Sequence, residues 1–317
     1  MKILHITNNY PTPKHPIFGI FVKEQIDSLS KAGVKNEVFF INGREKGKLE
    51  YFMSIYKIHS LLRKNQFDVI HCHHAFSAVC FILSGHAKNN KTVVSYQNDP
   101  TNENGKRVFS FIQKRVNTII LKNNSTIVDN KTVFYQPNGV NIEFFKPIDS
   151  GKCKKKLNLD IQKKYILFVS SNFIREQKRY DRFKEILAIL TEKYGFKNIE
   201  ELKLINTKRE LVPYYFNASS IHLLCSDFEG SPNSVKEAMS CNVPVVSTCV
   251  GNVSDLLNGV NGSFVSKTFS SEELAKLAYK VLTSQERLNS RNHLIEKKLD
   301  INSVAEKIIT IYKSIKI

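Results

Sequence analysis

Tryptophan is absent from this 317-residue sequence, so the residue best suited to anchor a protein at a lipid interface plays no part here. No apolar run approaches the roughly 18 residues that a membrane-spanning helix needs. No Cys-x-x-Cys pair occurs among the six cysteines (Cys72, Cys80, Cys153, Cys225, Cys241, Cys249). That scatter speaks for reduced, mostly buried thiols and against a disulfide framework. No segment repeats at solenoid length. The opening MKILHITNNY is too short and, with His5 and Asn8, too polar for a signal-peptide core, so the expected address is cytoplasmic.

Positive charge is plentiful. Lys and Arg number 47 against 29 Asp and Glu, for a net charge of +18. Basic residues outnumber acidic ones 20 to 10 over residues 1–147 and 27 to 19 over 148–317. Such a surface suits an anionic partner (lipid headgroups, a phosphorylated substrate, nucleic acid) or simply keeps the protein soluble. In the first half Arg44, Lys46 and Lys48 share one loop, and Arg63-Lys64, Lys106-Arg107 and Lys114-Arg115 form basic pairs. If several share a face, they would hold the protein at the inner, anionic face of the cell membrane. With no amphipathic helix joining a strong apolar face to Trp, that contact is expected to be shallow and electrostatic. No nucleic-acid recognition motif is present, and the Tyr and Phe residues fall mostly on core-facing periods, so a nucleic-acid partner is not expected.

Strand and helix signals alternate from the first residue, as in parallel sheets covered by helices. KILHIT, NEVFFI, FDVIH, TVVSY, VNTIIL and TVFYQ read as strands. Helices are expected from about Gly19 to Gly33, over Leu49–Leu62 and from Ala75. Pro147 followed by SGKCKKK reads as a linker. Beyond it YILFVSS, ELKLI, SIHLLC and VPVVST are strands, with helices over Tyr180–Tyr194, Leu211–Phe216 and from Pro232, then two or three more in the tail. The expected class is α/β, with two Rossmann-like, doubly wound domains facing across a cleft, over residues 1–147 and 148–300. A ligand is expected at the carboxyl ends of the strands.

The segment DFEGSPNSVKEAM, after the strand SIHLLC, carries the chemistry. Ser231 suits an N-cap and Pro232 the first helical position, where its missing N–H costs nothing. The backbone N–H groups of Asn233, Ser234 and Val235 then offer a phosphate site. Glu229 precedes the helix and Glu237 lies more than a turn inside it, two acceptors for hydroxyl donors. Taken alone, this is also what an ordinary capped helix with two surface glutamates looks like.

EGSPNSVKEAM followed by CNVPVVST resembles the E-x7-E signature of the retaining GT-B glycosyltransferases of family 4, the glycosyl transferases group 1. PNGVN at 137–141, with Phe145 and Pro147, is similar to that family's element at the end of the first domain. FGIFVKEQIDSLSKAG is similar to its first helix, whose preceding glycine (Gly19 here) approaches the donor phosphates. The resemblance implies an acceptor-binding first domain, a donor-binding second domain and a terminal helix, 301–317, that packs back on the first. It implies transfer from a UDP- or GDP-linked sugar, a co-substrate with no further cofactor, to a saccharide or lipid-linked acceptor in cell-surface polysaccharide synthesis. The enzyme would be a retaining, metal-independent hexosyltransferase. Glu237 would bond the ribose, Glu229 the donor sugar's hydroxyls, and Lys178 and Arg175 would neutralise the leaving diphosphate, with Gly230 and Ser231 lining the donor.

The chain departs from the family in three places. Ser171-Asn172 stands where Gly-Arg is usual, Gln97-Asn98 followed by Asp99 stands where His-Gly is usual, and the stretch between Lys122 and Pro137 is short. The second implies an altered acceptor site or an enzyme of poor activity. His71-Cys72-His73-His74 could suggest a metal, but alternation along a strand splits the four between two faces, and no metal is expected. His73, Gln97 and Asp99 are candidates for the acceptor side. An epimerase acting on a nucleotide sugar is the alternative on the same fold, and a basic nucleic-acid-binding protein the alternative of a different class.

Overall fold

The computed structural model describes residues 1–123, 132–171, 175–284, 286 and 288–315. The chain divides into two compact units, Met1–Gly139 with Ile301–Ile317, and Val140–Asp300.

Unit 1 is built on a six-stranded sheet of β1 (Lys2–Thr7), β2 (Lys35–Phe40), β3 (Val69–His73), β4 (Thr92–Ser95), β5 (Thr118–Leu121) and β6 (Thr132–Tyr135). Its order is β2-β1-β3-β4-β5-β6 and every pairing is parallel. The connecting helices are α1 (Ile20–Lys31), α2 (Gly43–Lys46), α3 (Leu49–Lys64), α4 (Ala75–Leu83) and α5 (Pro100–Gln113), the last broken at Gly105. Strands β1 and β3 are buried on both faces, as parallel strands under helices must be.

Unit 2 holds β7 (Lys164–Ser170), β8 (Ile199–Ile205), β9 (Ile221–Leu224), β10 (Val245–Ser247) and β11 (Phe264–Val265), ordered β11-β10-β9-β7-β8 and again all parallel. Its helices are α6 (Ser150–Lys156), α7 (Tyr180–Glu192), α8 (Val212–Ala218), α9 (Asn233–Ser240), α10 (Val253–Leu257), α11 (Ser271–Thr283) and α12 (Ser290–Glu296). The terminal helix α13 (Ile301–Ser314) returns to unit 1, where Val304, Ala305, Ile308, Ile311 and Tyr312 join Ile3, Leu29, Val69 and Val93 in one core. Because every strand in each sheet runs the same way, the loops that leave the strands' carboxyl ends collect on one edge.

Two expectations need correction. SGKCKKK is helix α6: Asp149 caps it by accepting the Lys152 N–H at 2.9 Å, and Cys153 anchors it in the core. The units divide after Gly139, so the boundary falls inside the PNGVN element, and Val140, Asn141, Phe145 and Pro147 lie in unit 2. There Val140 donates to the Leu299 carbonyl and Phe145 is fully buried. Helix α5 follows Asp99 unannounced by apolar periodicity. The short stretch between Lys122 and Pro137 lies largely outside the described residues. No helix among the described residues is long and apolar enough to cross a membrane.

Candidate functional site

In unit 2 four loops meet at the carboxyl edge of the sheet. The turn after β7 carries Arg175 and Lys178, the turn after β8 carries Arg209, the loop after β9 carries Ser226 to Ser231, and the turn after β10 carries Gly251. The first and third are tied backbone to backbone, Asp227 N–H donating to the Gln177 carbonyl at 2.9 Å. Arg179 and Arg182 both reach Asp227, and Arg182 also donates to the Cys225 carbonyl.

That frame brings Lys178 onto Glu229, Nζ to Oε1 2.5 Å, with the Ser226 hydroxyl donating to the same oxygen at 2.8 Å. Both side chains are largely shielded from water, at 14 % and 11 % exposure, so this pair is unlike a screened surface pair. Arg175 is exposed, and its carbonyl accepts the Lys178 N–H at 2.9 Å. Asn172, standing where the family has an arginine, lies outside the described residues.

Helix α9 starts one residue later than the sequence suggests. Pro232 occupies the cap position, and no side chain caps the first turn of Asn233, Ser234 and Val235. Ser231 is not the cap, because its hydroxyl is taken by the buried Lys236 ammonium at 3.0 Å. An uncapped first turn leaves backbone N–H groups for an anion. The Asn233 side-chain oxygen beside it is buried and has no hydrogen-bond partner among the described residues, an acceptor suited to a hydroxyl donor and not to the anion itself. Ser234 accepts from or donates to His222 at 3.1 Å, and burial lowers that ring to about 4, keeping it neutral. The Val235 side chain is in the core, so only its backbone faces the loop.

Inside the helix Glu237 is held by Arg209, Nη1 to Oε1 2.8 Å. The Arg209 guanidinium also lies over the Phe145 ring at 4.7 Å. Arg209 escaped the sequence reading, although a basic residue just past the carboxyl end of a strand was a usable signal. Gly251 escaped it too. It sits at φ +54, and a Cβ there would fall 2.1 Å from the Gly230 carbonyl oxygen and 2.8 Å from that of Glu229. Asn252 N–H meanwhile donates to Gly230 at 3.1 Å. Only glycine lets the two loops close in this way.

In unit 1 the corresponding edge is built from neutral groups. Gly19, at φ +67, is pressed against Asn9 and Tyr10: a Cβ would meet the Asn9 carbonyl carbon and oxygen at 2.3 Å, so packing within the chain already demands glycine there. His73 is fully buried, which corrects its place as a lining residue. Its Nε2 meets His5 Nδ1 at 3.1 Å, and its ring stacks on His71 at 4.1 Å. The neighbouring His74, half-buried at φ 73, meets the Asn9 amide at 2.9 Å and is the histidine nearer the surface. Gln97 accepts from the Asn138 amide at 2.8 Å, and Asp99 accepts from the Thr101 N–H at 2.9 Å, starting α5.

His5, His71 and His73 bring three ring nitrogens within 4.8 Å of one another, a grouping that needed the pairing of β1 with β3. Their nitrogens are engaged already: His71 by Tyr312 at 2.6 Å and Ser95 at 2.7 Å, His5 by Asn36 at 2.9 Å. Burial lowers His5 to about 4 and holds His71 and His73 well below the ordinary range, so the rings are neutral partners in a hydrogen-bonded core. Burial likewise lowers Lys122, at the end of β5, to about 7.

Residues 192–300 match the family described as glycosyl transferases group 1, and residues 20–123 match glycosyl transferase 4-like. The two matches, one in each unit, make the chain a glycosyltransferase. Among curated relatives, this glycosyltransferase is 31 % identical over 184 residues to a probable sucrose-phosphate synthase of Thermosipho melanesiensis, covering 51 % of this chain and 42 % of that one. It is 23 % identical over 255 residues to an Escherichia coli UDP-Gal:alpha-D-GlcNAc-diphosphoundecaprenol alpha-1,3-galactosyltransferase, covering 67 % of this chain and 66 % of that one. The matches thus span less than two thirds of either relative. The sucrose-phosphate synthase structure from Thermosynechococcus elongatus superposes with a TM-score of 0.76 over 99 % of this glycosyltransferase and 98 % of that chain, at 13 % identity. The fold is GT-B.

Proposed function

We propose that this glycosyltransferase moves a hexose from a nucleotide-diphosphate sugar, UDP- or GDP-linked, to a saccharide or lipid-linked acceptor, with retention of configuration. The observation that carries the proposal is the arrangement around α9. Two carboxylates, Glu229 and Glu237, flank an uncapped helix N-terminus, and each is already held by its own cation, Lys178 and Arg209. A diphosphate at Asn233–Val235 would draw Lys178 from Glu229, freeing a carboxylate for the sugar hydroxyls at the moment the phosphate arrives. Glu237, fixed by Arg209, would take the ribose. As the sugar–phosphate bond loosens, Lys178, Arg175 and the first turn of α9 would meet the growing charge on the leaving group, a preorganised electrostatic contribution that is commonly the largest in catalysis. Those cations and that helix end supply what a metal ion otherwise would, so the reaction is proposed to be metal-independent.

Unit 1 would take the acceptor beside Gln97 and Asp99, with His74 in the place that the sequence suggests for His73. The galactosyltransferase relative, named for a UDP-sugar donor and a diphosphoundecaprenol-linked acceptor, supports a role in cell-surface polysaccharide synthesis and a station at the inner, anionic face of the membrane. The test is thermal unfolding against a panel of nucleotide sugars, followed by transfer of labelled sugar from the stabilising donor to extracted lipid-linked saccharides. A bound donor raises the apparent stability by mass action. Isomerised donor with no transferred label would make the protein an epimerase instead, and no stabilisation by any nucleotide sugar would remove the donor site.

A further inference from the structure

Helix α3 is built the wrong way round for a helix that only covers a sheet. Its first two turns bury Glu50 and Ser54 while exposing Leu49 (72 %), Phe52 (71 %), Met53 (54 %) and Tyr56 (76 %). These positions follow the i, i+3, i+4, i+7 spacing and form one continuous stripe. The inward polar groups are poorly served. Glu50 is held by Lys57 at 3.0 Å, and the Ser54 hydroxyl is buried with no hydrogen-bond partner among the described residues. Helix α1, on the same sheet, does the opposite and buries Val22, Ile26 and Leu29. Phe76 on α4, 52 % exposed, extends the stripe sideways through a ring contact with Tyr51 at 6.0 Å. Contiguous apolar surface of this kind marks a contact face.

The flank of the stripe decides what it meets. Arg44, Lys46 and Lys48, all exposed, lead into the first turn of α3, where Glu45 is the sole exposed acid among them. Apolar and aromatic side chains rimmed by Lys and Arg match the boundary between anionic headgroups and acyl chains. The stripe also lies next to the strand edge of unit 1: Tyr51, one step inward on α3, receives the Asn8 amide N–H at 3.3 Å, and Asn8 directly follows β1. We propose that the outer face of α3 is a membrane-docking element that inserts Phe52, Tyr56 and their neighbours into an anionic bilayer. This rests on, and sharpens, the membrane station proposed above. It replaces the purely electrostatic contact expected from the basic pairs with one that combines charge and insertion.

The absence of tryptophan supplies a clean probe, since Phe52→Trp would be the only indole in the chain. The full-length Phe52→Trp protein is mixed with vesicles of phosphatidylcholine alone or with added phosphatidylglycerol, at low and high salt. Emission is recorded beside co-sedimentation, and Phe52→Ser/Tyr56→Ser is run in parallel. Expected are co-sedimentation with the anionic vesicles, a blue shift of the indole, quenching by brominated lipid, and a residue of binding that survives high salt. The double serine variant should bind at least about tenfold more weakly, the scale for losing one or two inserted aromatic side chains. Co-sedimentation without a blue shift, abolished by salt and indifferent to the serines, would overturn the insertion while leaving the electrostatic membrane station intact. Binding to neither vesicle would overturn both. A blue shift that grows with protein concentration in the absence of vesicles, lost with the serines together with a dimer in sedimentation, would give the stripe to a second copy of the chain and sink the lipid assignment.

Discussion

The two units build the same kind of sheet and put opposite electrostatics at its working edge. In unit 2 the edge is made of cross-linked charges, Lys178 with Glu229, Arg209 with Glu237, and Arg179 and Arg182 with Asp227. In unit 1 the same edge is packed with buried histidines held neutral, and with Lys122, which burial lowers to about 7. Paired charges can be exchanged for a ligand's charges at modest cost, because the desolvation has been met in folding. The histidines of unit 1, buried and already bonded within the unit, hold no charge to exchange. The difference fits the diphosphate site proposed for unit 2.

The comparison breaks most severely at Lys178. Lys178→Ala should lower turnover by about 10²–10³, the scale for removing one transition-state charge partner, with the fold of unit 2 retained by circular dichroism. Unchanged turnover would mean that charge in unit 2 is structural. Next in size is Gly251→Ala, which forces a Cβ against the Gly230 carbonyl in a left-handed backbone. A loss of about 1–3 kcal/mol is expected in denaturant unfolding. Gly33→Ala in unit 1, also left-handed but with open space around its Cβ, should cost less, near 1 kcal/mol.

Acid should separate the units in the opposite direction. Burial lowers His5, His71, His73 and His74 in unit 1, against His222 as the fully buried case in unit 2. The folded rings resist a proton until about pH 4 for His5 and His74, whereas unfolded ones accept it near 6.5. The unfolded state therefore binds more protons in that window, and stability is complete above it and falls as pH drops through it. Between pH 7 and pH 5, amide protection in β1 and β3 should fall at least ~10-fold more than in β7 and β9, since a single pKa unit is a tenfold change. Equal losses would show that the histidine cluster carries no special acid lability.

Glu237→Ala should act on the donor, raising KM about tenfold with kcat nearly spared, since a ribose contact is alike in ground and transition states. The smallest effect expected is none: transfer should survive excess chelator. A complete loss, reversed by adding a divalent cation, would move the neutralising role from Lys178 and α9 to a metal ion.

Much of this was legible in one dimension. Alternating patterns placed most strands within a residue or two, because buried parallel strands are continuous apolar runs bounded by turn residues. The helix start was legible to within a residue from Pro232, and the two glutamates from their spacing, because both are local properties, although the expected Ser231 cap is not made. The inverted face of α3 was not, since Leu, Phe, Met and Tyr at helical spacing read as a core stripe until the packing shows which way they point. Nor was the ring cluster, because His5 lies 68 residues from His73 and only the adjacency of β1 and β3 unites them. The same holds for Arg209, brought to Glu237 from 28 residues away by the order β9-β7-β8. Sequence by itself determined most of the strands and helices and the spacing of the two glutamates, since those follow from propensity and period over a few residues. Tertiary structure alone decided which charges neutralise one another, which histidines lose their water and which apolar face stays outside, because those depend on distances that strand order sets.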